Sequence, residues 1–184
     1  MICDMGHCQT TICVVQCHEN KDDDDTTTTT STRPTVLHSS RHKSLGAGSI
    51  DIRLFHHFQQ SMPALKHMSS SSSTKQSKLR LLTGCQKLKQ LLSQLGEASV
   101  TVENVGANDS DVTLSMSRAT LQELCQSDQI VLAQWIQTAL IVDKEDDVSN
   151  EDDEPKRLLV VDSVEVVGGG CRIPLVQHAT ILAV

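Results

Sequence analysis

Tyrosine is absent from this 184-residue chain, and one Trp and two Phe hold the aromatic content to 2%. Any core must therefore be aliphatic, built from Leu, Val, Ile and Ala, each large side chain contributing about 1.5–3 kcal/mol when fully buried. At 38% hydrophobic the chain has material for one modest core. No apolar run approaches the ~18 residues of a membrane span, which excludes a membrane-crossing helix. The first twenty residues lack the basic start, apolar run and small-residue cleavage site of a secretory signal. A reducing, cytoplasmic setting follows, with the seven cysteines as free and mostly buried thiols. Nucleic acid is not an expected partner, because no basic, aromatic-studded surface is present.

The charge is concentrated. Of the net −7, residues 143–157 carry −5 from eight acids and three bases, and Asp22 to Asp25 carry another −4. The remainder sums to +2, so the folding parts are nearly neutral. Three low-complexity stretches, 19–34, 68–76 and 143–157, read as loop inserts that cannot bury enough apolar surface to offset the entropy of ordering. Between them lie short structured blocks. Residues 2–16 predict a strand, a tight turn at Gly6 and a second strand, with a third at Thr35–His38. Residues 49–60 predict a helix capped by Ser49, with Ile50, Leu54 and Phe58 four apart on one face. From Lys75 to Leu95, the stripe of Leu81, Cys85, Leu88, Leu92 and Leu95 predicts the longest helix, stopped by Gly96. Residues 98–105 and 112–116 alternate as a strand pair. Ser117 then caps helical sequence that runs to about Ile141. The apolar runs Leu158–Val161 and Val164–Val167 predict a buried strand entering a Gly-Gly-Gly turn, with a helix opening at Arg172-Ile173-Pro174. The fold class is mixed α/β.

Two turns could carry chemistry. Val167-Gly168-Gly169-Gly170 joins a strand to a helix start, where backbone can approach a ligand and a helix N-terminus favours anions. It lacks the third spaced glycine of a dinucleotide fingerprint and the Gly-Lys-Ser/Thr of a Walker loop, and a tight turn without ligand fits it as well. Asp4-Met5-Gly6-His7 places an acid at a strand end before a glycine, which suits a phosphate-bound cation or a plain hairpin turn. Cys3, His7, Cys8, Cys13, Cys17 and His18 also cluster, so a small zinc-binding module is an alternative, although no Cys-x-x-Cys pair is present.

Taken in order, five blocks resemble the 70- and 110-kilodalton heat-shock chaperones, an actin-like ATPase family. Asp4-Met5-Gly6-His7 resembles the family's second phosphate loop in the form of the 110-kilodalton branch. Leu45-Gly46-Ala47 with Asp51 and His57-Phe58 resembles its L-G-G-x-x-F-D…H-F segment, and Leu79 to Ser93 the helix lying along the adenosine. Ala98 to Leu124 is similar to the strand pair and helix that follow, and Val164 to Pro174 to the VEIVGG-x-T-R-I-P strand and turn. The resemblance implies a partial actin-like, ribonuclease-H-like lobe (the second lobe of the nucleotide-binding domain) spanning 1–184 with inserts in its loops. The first lobe, with its catalytic lysine, has no counterpart, and the immediate strand-like start suggests an upstream part.

By that resemblance the cofactor is ATP or ADP with Mg2+. Asp4 would organise the magnesium hydration shell as the catalytic acid, while Gly6 and His7 line the phosphates. Gln86, Lys89 and Ser93 would face the adenosine, Gly168, Gly169 and Gly170 would pass under base and ribose, and Arg172 would stack nearby. Gln86 stands where the family has a ribose-binding Glu, Gln90 where it has a basic residue, and Gly170-Cys171 where it has Ser or Ala followed by Thr. The implied function is ATP-dependent chaperoning, or nucleotide exchange on a partner chaperone. The partners would be other heat-shock chaperones and unfolded polypeptides, and the chain alone would lack ATPase activity. The other reading is an inert or regulatory remnant that docks on a full-length chaperone.

Overall fold

The structure, a computed structural model, describes residues 1–19, 32–69, 75–142 and 157–183. It is mixed α/β, as the sequence predicts. Strand β1 (Ile2–Met5) pairs antiparallel with β2 (Thr10–Glu19), which pairs antiparallel with β3 (Thr32–His42). On its other side β1 pairs parallel with β8 (Glu165–Val167), giving the order β3-β2-β1-β8. Between β3 and β8 come helix α1 (Ala47–Ser61), a 3-10 segment Pro63–Ser69, and α2 (Lys75–Leu92). The hairpin β4 (Glu97–Val102) and β5 (Val112–Ser117) follows, then α3 (Arg118–Leu124), α4 (Gln126–Ala139) and the two-residue pair β6 (Ile141–Val142) and β7 (Arg157–Leu158). Helix α5 (Pro174–Ala183) ends the described chain.

The core is aliphatic. Leu54 of α1, Leu81, Leu88 and Leu92 of α2, Leu114 of β5 and Ile136 of α4 are fully buried, and Phe58 joins them. The four-residue spacing of Ile50, Leu54 and Phe58, and the stripe of Leu81, Cys85, Leu88 and Leu92, turn one face of each helix inward. Ser117 caps α3 as predicted, its hydroxyl accepting from the Thr120 amide. The long helical stretch breaks at Cys125, whose backbone (φ −105, ψ 10) separates α3 from α4.

Several boundaries differ from expectation. Helix α1 begins two residues before Ser49, at Ala47, with Gly46 as its extended cap and no side-chain cap bond; the Ser49 hydroxyl donates instead to the Gly46 carbonyl at 2.7 Å. Helix α2 ends at Leu92 rather than Leu95, and Leu95 lies 50% exposed beyond it. The stripe loses its partner surface where the chain turns into β4. The spacers are narrower than composition implies. Glu19 pairs with Thr32 and Cys17 with Pro34, because threonines suit strands and a proline is tolerated at a sheet edge. Met68 is buried at 1%, Lys75 opens α2, and Arg157 pairs with Val142. The interiors of the three inserts, residues 20–31, 70–74 and 143–156, lie outside the described residues.

The buried strand expected at the C-terminal end is a correction. Residues 165–167 form the sheet edge with every side chain exposed, Val166 at 41%, and upstream Val160 stands 91% exposed. Among the described residues β8 has a neighbour, β1, on one side only, so an apolar run that reads as central is peripheral here.

Two core thiols have a consequence for alkaline stability. Burial, with Asp51 adding to it, pushes Cys85 from the ordinary 9.0 up to about 12, and burial with Asp128 pushes Cys125 up to about 11. The folded state thus holds both protons at pH values where the unfolded chain releases them, so this stability is present below pH 9.0 and lost as pH rises toward about 11 to about 12. The expected slope above pH 9 approaches about 1.4 kcal/mol per pH unit per thiol. Urea melts of the wild type and of Cys85→Val, run from about pH 8 to about pH 10.5, check this. Parallel profiles for the two proteins would show that Cys85 does not contribute.

Candidate functional site

The β1–β2 turn is built by local chemistry and then clamped. Within it, the Gly6 amide donates to the Gln9 carbonyl at 2.9 Å. The first turn of α1 grips it from outside, the Ala47 amide donating to the Gly6 carbonyl at 3.0 Å and the Gly48 amide to the His7 carbonyl at 2.8 Å. Thr10, fully buried, donates its hydroxyl to the Leu45 carbonyl at 2.8 Å. Gly46 is squeezed between these parts: a Cβ there would overlap the His7 carbonyl and the Cys8–Gln9 backbone. The amides that open α1 therefore hold protein carbonyls.

Helix α2 supplies the facing wall. Lys89, only 7% exposed, donates to the Ala47 carbonyl at 2.8 Å and lies 2.6 Å from Asp51 Oδ1. The Asp51 contact is an ion pair outside hydrogen-bond geometry. Asp51 is 1% exposed, and its Oδ2 has no partner among the described residues. Lys89 thus ties α2 to the start of α1, and one positive and one negative charge cancel at the base of the wall.

The three glycines after β8 have three different surroundings. Gly168 has φ +86, a conformation L side chains rarely adopt, and a Cβ there would come within 2.5 Å of the Met5 carbonyl and of Asp4 Oδ1. Gly170 is buried against Met5, whose carbonyl would lie 2.9 Å from an added Cβ. Gly169 has nothing within 4 Å of that position. Below the turn, the Cys171 thiol donates to the Cys3 carbonyl at 3.6 Å. The neighbouring Cys171 thiol, with burial, pushes the Cys3 thiol far above the ordinary range.

These walls enclose a cleft of about 670 Å3. Of the ten residues singled out in the sequence, seven line it: His7, Gln86, Lys89, Ser93, Gly169, Gly170 and Arg172. The other three do not. Asp4 sits on β1 opposite Thr11 and Val167 with its carboxylate beside Gly168, Gly6 carries the turn, and Gly168 packs on Met5. A smaller cavity of about 310 Å3 adjoins, sharing His7, Asp51 and Gln86.

Asp51, Gln90 and Gln94 also line the cleft; the sequence marked Gln90 only as a departure from a basic residue of the family, and gave Asp51 and Gln94 no ligand role. The spacing of Gln86, Gln90 and Gln94, four residues apart, was a readable signal for the last two. Asp51 was visible only as one position of the Leu45–Phe58 segment. Among the described residues no group of three His, Cys, Asp or Glu side chains could hold a metal ion, and Cys3 turns to Cys171 instead. For Mg2+, Asp4 is a candidate ligand-side carboxylate: it is exposed, lies beside Gly168 next to the lining residues Gly169 and Gly170, and makes no protein hydrogen bond among the described residues.

Residues 1–181 match the family described as Hsp70 protein. Heat shock protein 88 of Dictyostelium discoideum is 28% identical over 142 residues, covering 77% of this chain and 17% of that protein. A heat shock protein homolog of Saccharomyces cerevisiae is 30% identical over 144 residues, covering 78% and 19%. Heat shock 70 kDa protein 4L of Homo sapiens is 30% identical over 177 residues, covering 95% and 18%. The chain spans less than a fifth of the length of these relatives. The strands and five α-helices among its described residues suit part of an actin-like ATPase fold. With the family match running from the first residue to 181, the chain belongs to the Hsp70 protein family.

Proposed function

We propose that this chain is the second lobe of a heat-shock nucleotide-binding domain, and that its cleft holds the adenosine end of ATP or ADP. The observation that carries the reading is that seven of the ten residues marked by the family resemblance, from three distant parts of the sequence, line one cleft. Gln86 and Ser93 supply hydrogen-bonding groups for ribose and base, Gly169 offers open backbone beneath them, and Arg172 brings a cation with a planar face for stacking. Lys89 acts through Asp51 and Ala47, shaping the wall. Mg2+, when bound with nucleotide, would offset phosphate charge. Asp4 is the group placed to orient its water shell, with Gly6 and His7 beside the phosphates.

With this lobe alone the nucleotide meets one side of its cleft, and each missing charge-assisted hydrogen bond costs about 1.5–3 kcal/mol. We infer weak binding and no hydrolysis by the isolated chain; metal-dependent ATP turnover by the purified protein would defeat that. In its family setting it works in the cytosol with other heat-shock chaperones and unfolded polypeptides. Family membership supports this, and no described helix is long and apolar enough to cross a membrane.

The test is calorimetric titration of the chain with ADP in magnesium, beside Gly169→Trp. Because nothing lies within 4 Å of a Cβ at Gly169, the indole can fill the cleft without disturbing the fold. The expected result is an unchanged melting temperature with affinity reduced about thirtyfold, on the order of 2 kcal/mol. Equal affinity in the two proteins would place the nucleotide elsewhere.

A further inference from the structure

Two of the buried thiols lie side by side, one on each of two segments that meet under the cleft. Cys3 turns inward from β1 and is 0% exposed, while Cys171 follows the three glycines and is 4% exposed. The Cys171 sulfur lies 3.6 Å from the Cys3 carbonyl oxygen. A cysteine's own sulfur sits within a few ångströms of its carbonyl, so the two sulfurs are neighbours although 168 residues separate them in sequence. Both are free thiols.

The surroundings suit a bond between them. The thiol-to-carbonyl contact that now joins Cys171 to β1 is weak, because S–H is a poor donor. A cysteine has one side-chain torsion, so turning the Cys171 sulfur from the Cys3 carbonyl toward the Cys3 sulfur is a single rotamer step. The glycines before Cys171 let the backbone settle into the narrow Cα separation that a disulfide requires. Gly170 and Arg172, on either side of Cys171 in sequence, line the cleft, which gives a path to the sulfur. A sulfur 4% exposed admits a reactant of about the size of water and refuses a peptide-sized one.

We propose that Cys3 and Cys171 are a redox site: a small hydroperoxide joins them in a disulfide that locks the glycine turn to β1. With hydrogen peroxide, the Cys171 thiolate attacks one oxygen, the O–O bond breaks, and the leaving oxygen takes up a proton and departs as water. The Cys3 sulfur then attacks the sulfenic sulfur of Cys171, and the displaced hydroxyl leaves with the Cys3 proton as a second water. Two thiols and one peroxide thus give one disulfide and two waters, the sulfurs oxidised and the peroxide oxygens reduced. Joining residues 168 apart closes nearly the whole chain into one loop, which is where a cross-link restricts the unfolded state most. Gly169 and Gly170, which line the cleft, are then fixed against the strand that carries Asp4. The lock is independent of what the cleft binds.

The experiment uses the full chain, fully reduced and then treated with hydrogen peroxide or with oxidised glutathione. Remaining thiols are alkylated in denaturant, the chain is digested without reductant, and the peptides are weighed. Peroxide should yield a linked pair of peptides carrying Cys3 and Cys171, and should raise the melting temperature by about 5–15 °C until dithiothreitol reverses it. Oxidised glutathione, too large for these sulfurs, should leave the pair reduced over the same interval. Cys171→Ser, which keeps a donor for the Cys3 carbonyl, should abolish the shift, and Cys8→Ser, at an exposed thiol, should retain it. Peptide mapping of the wild type decides the matter even if Cys171→Ser does not fold. Recovery of Cys3 and Cys171 as alkylated thiols or as separate sulfinic acids overturns the inference, and so does a disulfide formed only among other cysteines. A Cys3–Cys171 link with an unchanged or lower melting temperature overturns the lock. Linkage as fast with oxidised glutathione as with peroxide overturns the selection of oxidant by size.

Discussion

Lys89→Met is expected to lower the stability of the chain by about 3–5 kcal/mol, read as a shift in urea midpoint at constant slope. The size comes from what the substitution leaves behind. The Asp51 carboxylate is 1% exposed, and Lys89 Nζ, at 2.6 Å, is its ion-pair partner. Removing the ammonium leaves a buried negative charge uncompensated, and also withdraws the 2.8 Å donation to the Ala47 carbonyl at the first turn of α1. The pair by itself need not be stabilising, because desolvation of two charges offsets much of their attraction. The paired variant Asp51→Leu/Lys89→Met tests that separately. It should recover most of the loss, to within about 1–2 kcal/mol of the wild type. If Lys89→Met alone melts like the wild type, the carboxylate has found water or a proton, and the proposed tie between α1 and α2 is not holding the cleft wall.

That tie also marks where the sequence stops being legible. Elements that bury one stripe were readable: Ile50, Leu54 and Phe58 set the inward face of α1, and Leu81 to Leu92 that of α2, because such spacing depends only on helix geometry. The β4–β5 hairpin and the Ser117 cap were readable for the same local reason. The partner of Lys89 was not, since Asp51 lies 38 residues away and only packing brings the two helices together. Nor was the exposure of β8. An apolar run looks the same whether one strand flanks it or two, and here β1 flanks one side only. The start of α1 was misplaced because Ser49 offers the usual capping side chain. In the fold, the Gly6 and His7 carbonyls take the helix's opening amides and move the start back to Ala47. At the glycine turn, three identical letters hide three roles. A left-handed backbone at Gly168, close packing on Met5 at Gly170 and open space at Gly169 can be told apart only in three dimensions.

Gly46→Ala is expected to cost about 3 kcal/mol or more, near the upper end of overpacking effects. The reason is crowding rather than dihedral freedom, because Gly46 has φ −160 and ψ 165, extended backbone open to any residue. An added methyl would meet the His7 carbonyl, with Cys8 C at 2.6 Å and Gln9 N at 2.7 Å. All three are backbone atoms in a turn held by the Gly6-to-Gln9 hydrogen bond, so no flexible side chain can move aside. To admit the methyl, α1 must retreat from the turn, which lengthens the Ala47-to-Gly6 and Gly48-to-His7 bonds together and withdraws His7 from the cleft. The loss should therefore appear twice, as a lower urea midpoint and as weaker ADP binding in whatever fraction stays folded. Gly96→Ala is the control: nothing lies within 4 Å of its added Cβ, and the change should be neutral or stabilise by about 0.4–1 kcal/mol by restricting the unfolded chain. Equal melting of the two variants would mean the turn yields to α1 and that the clamp does not set the geometry of the site.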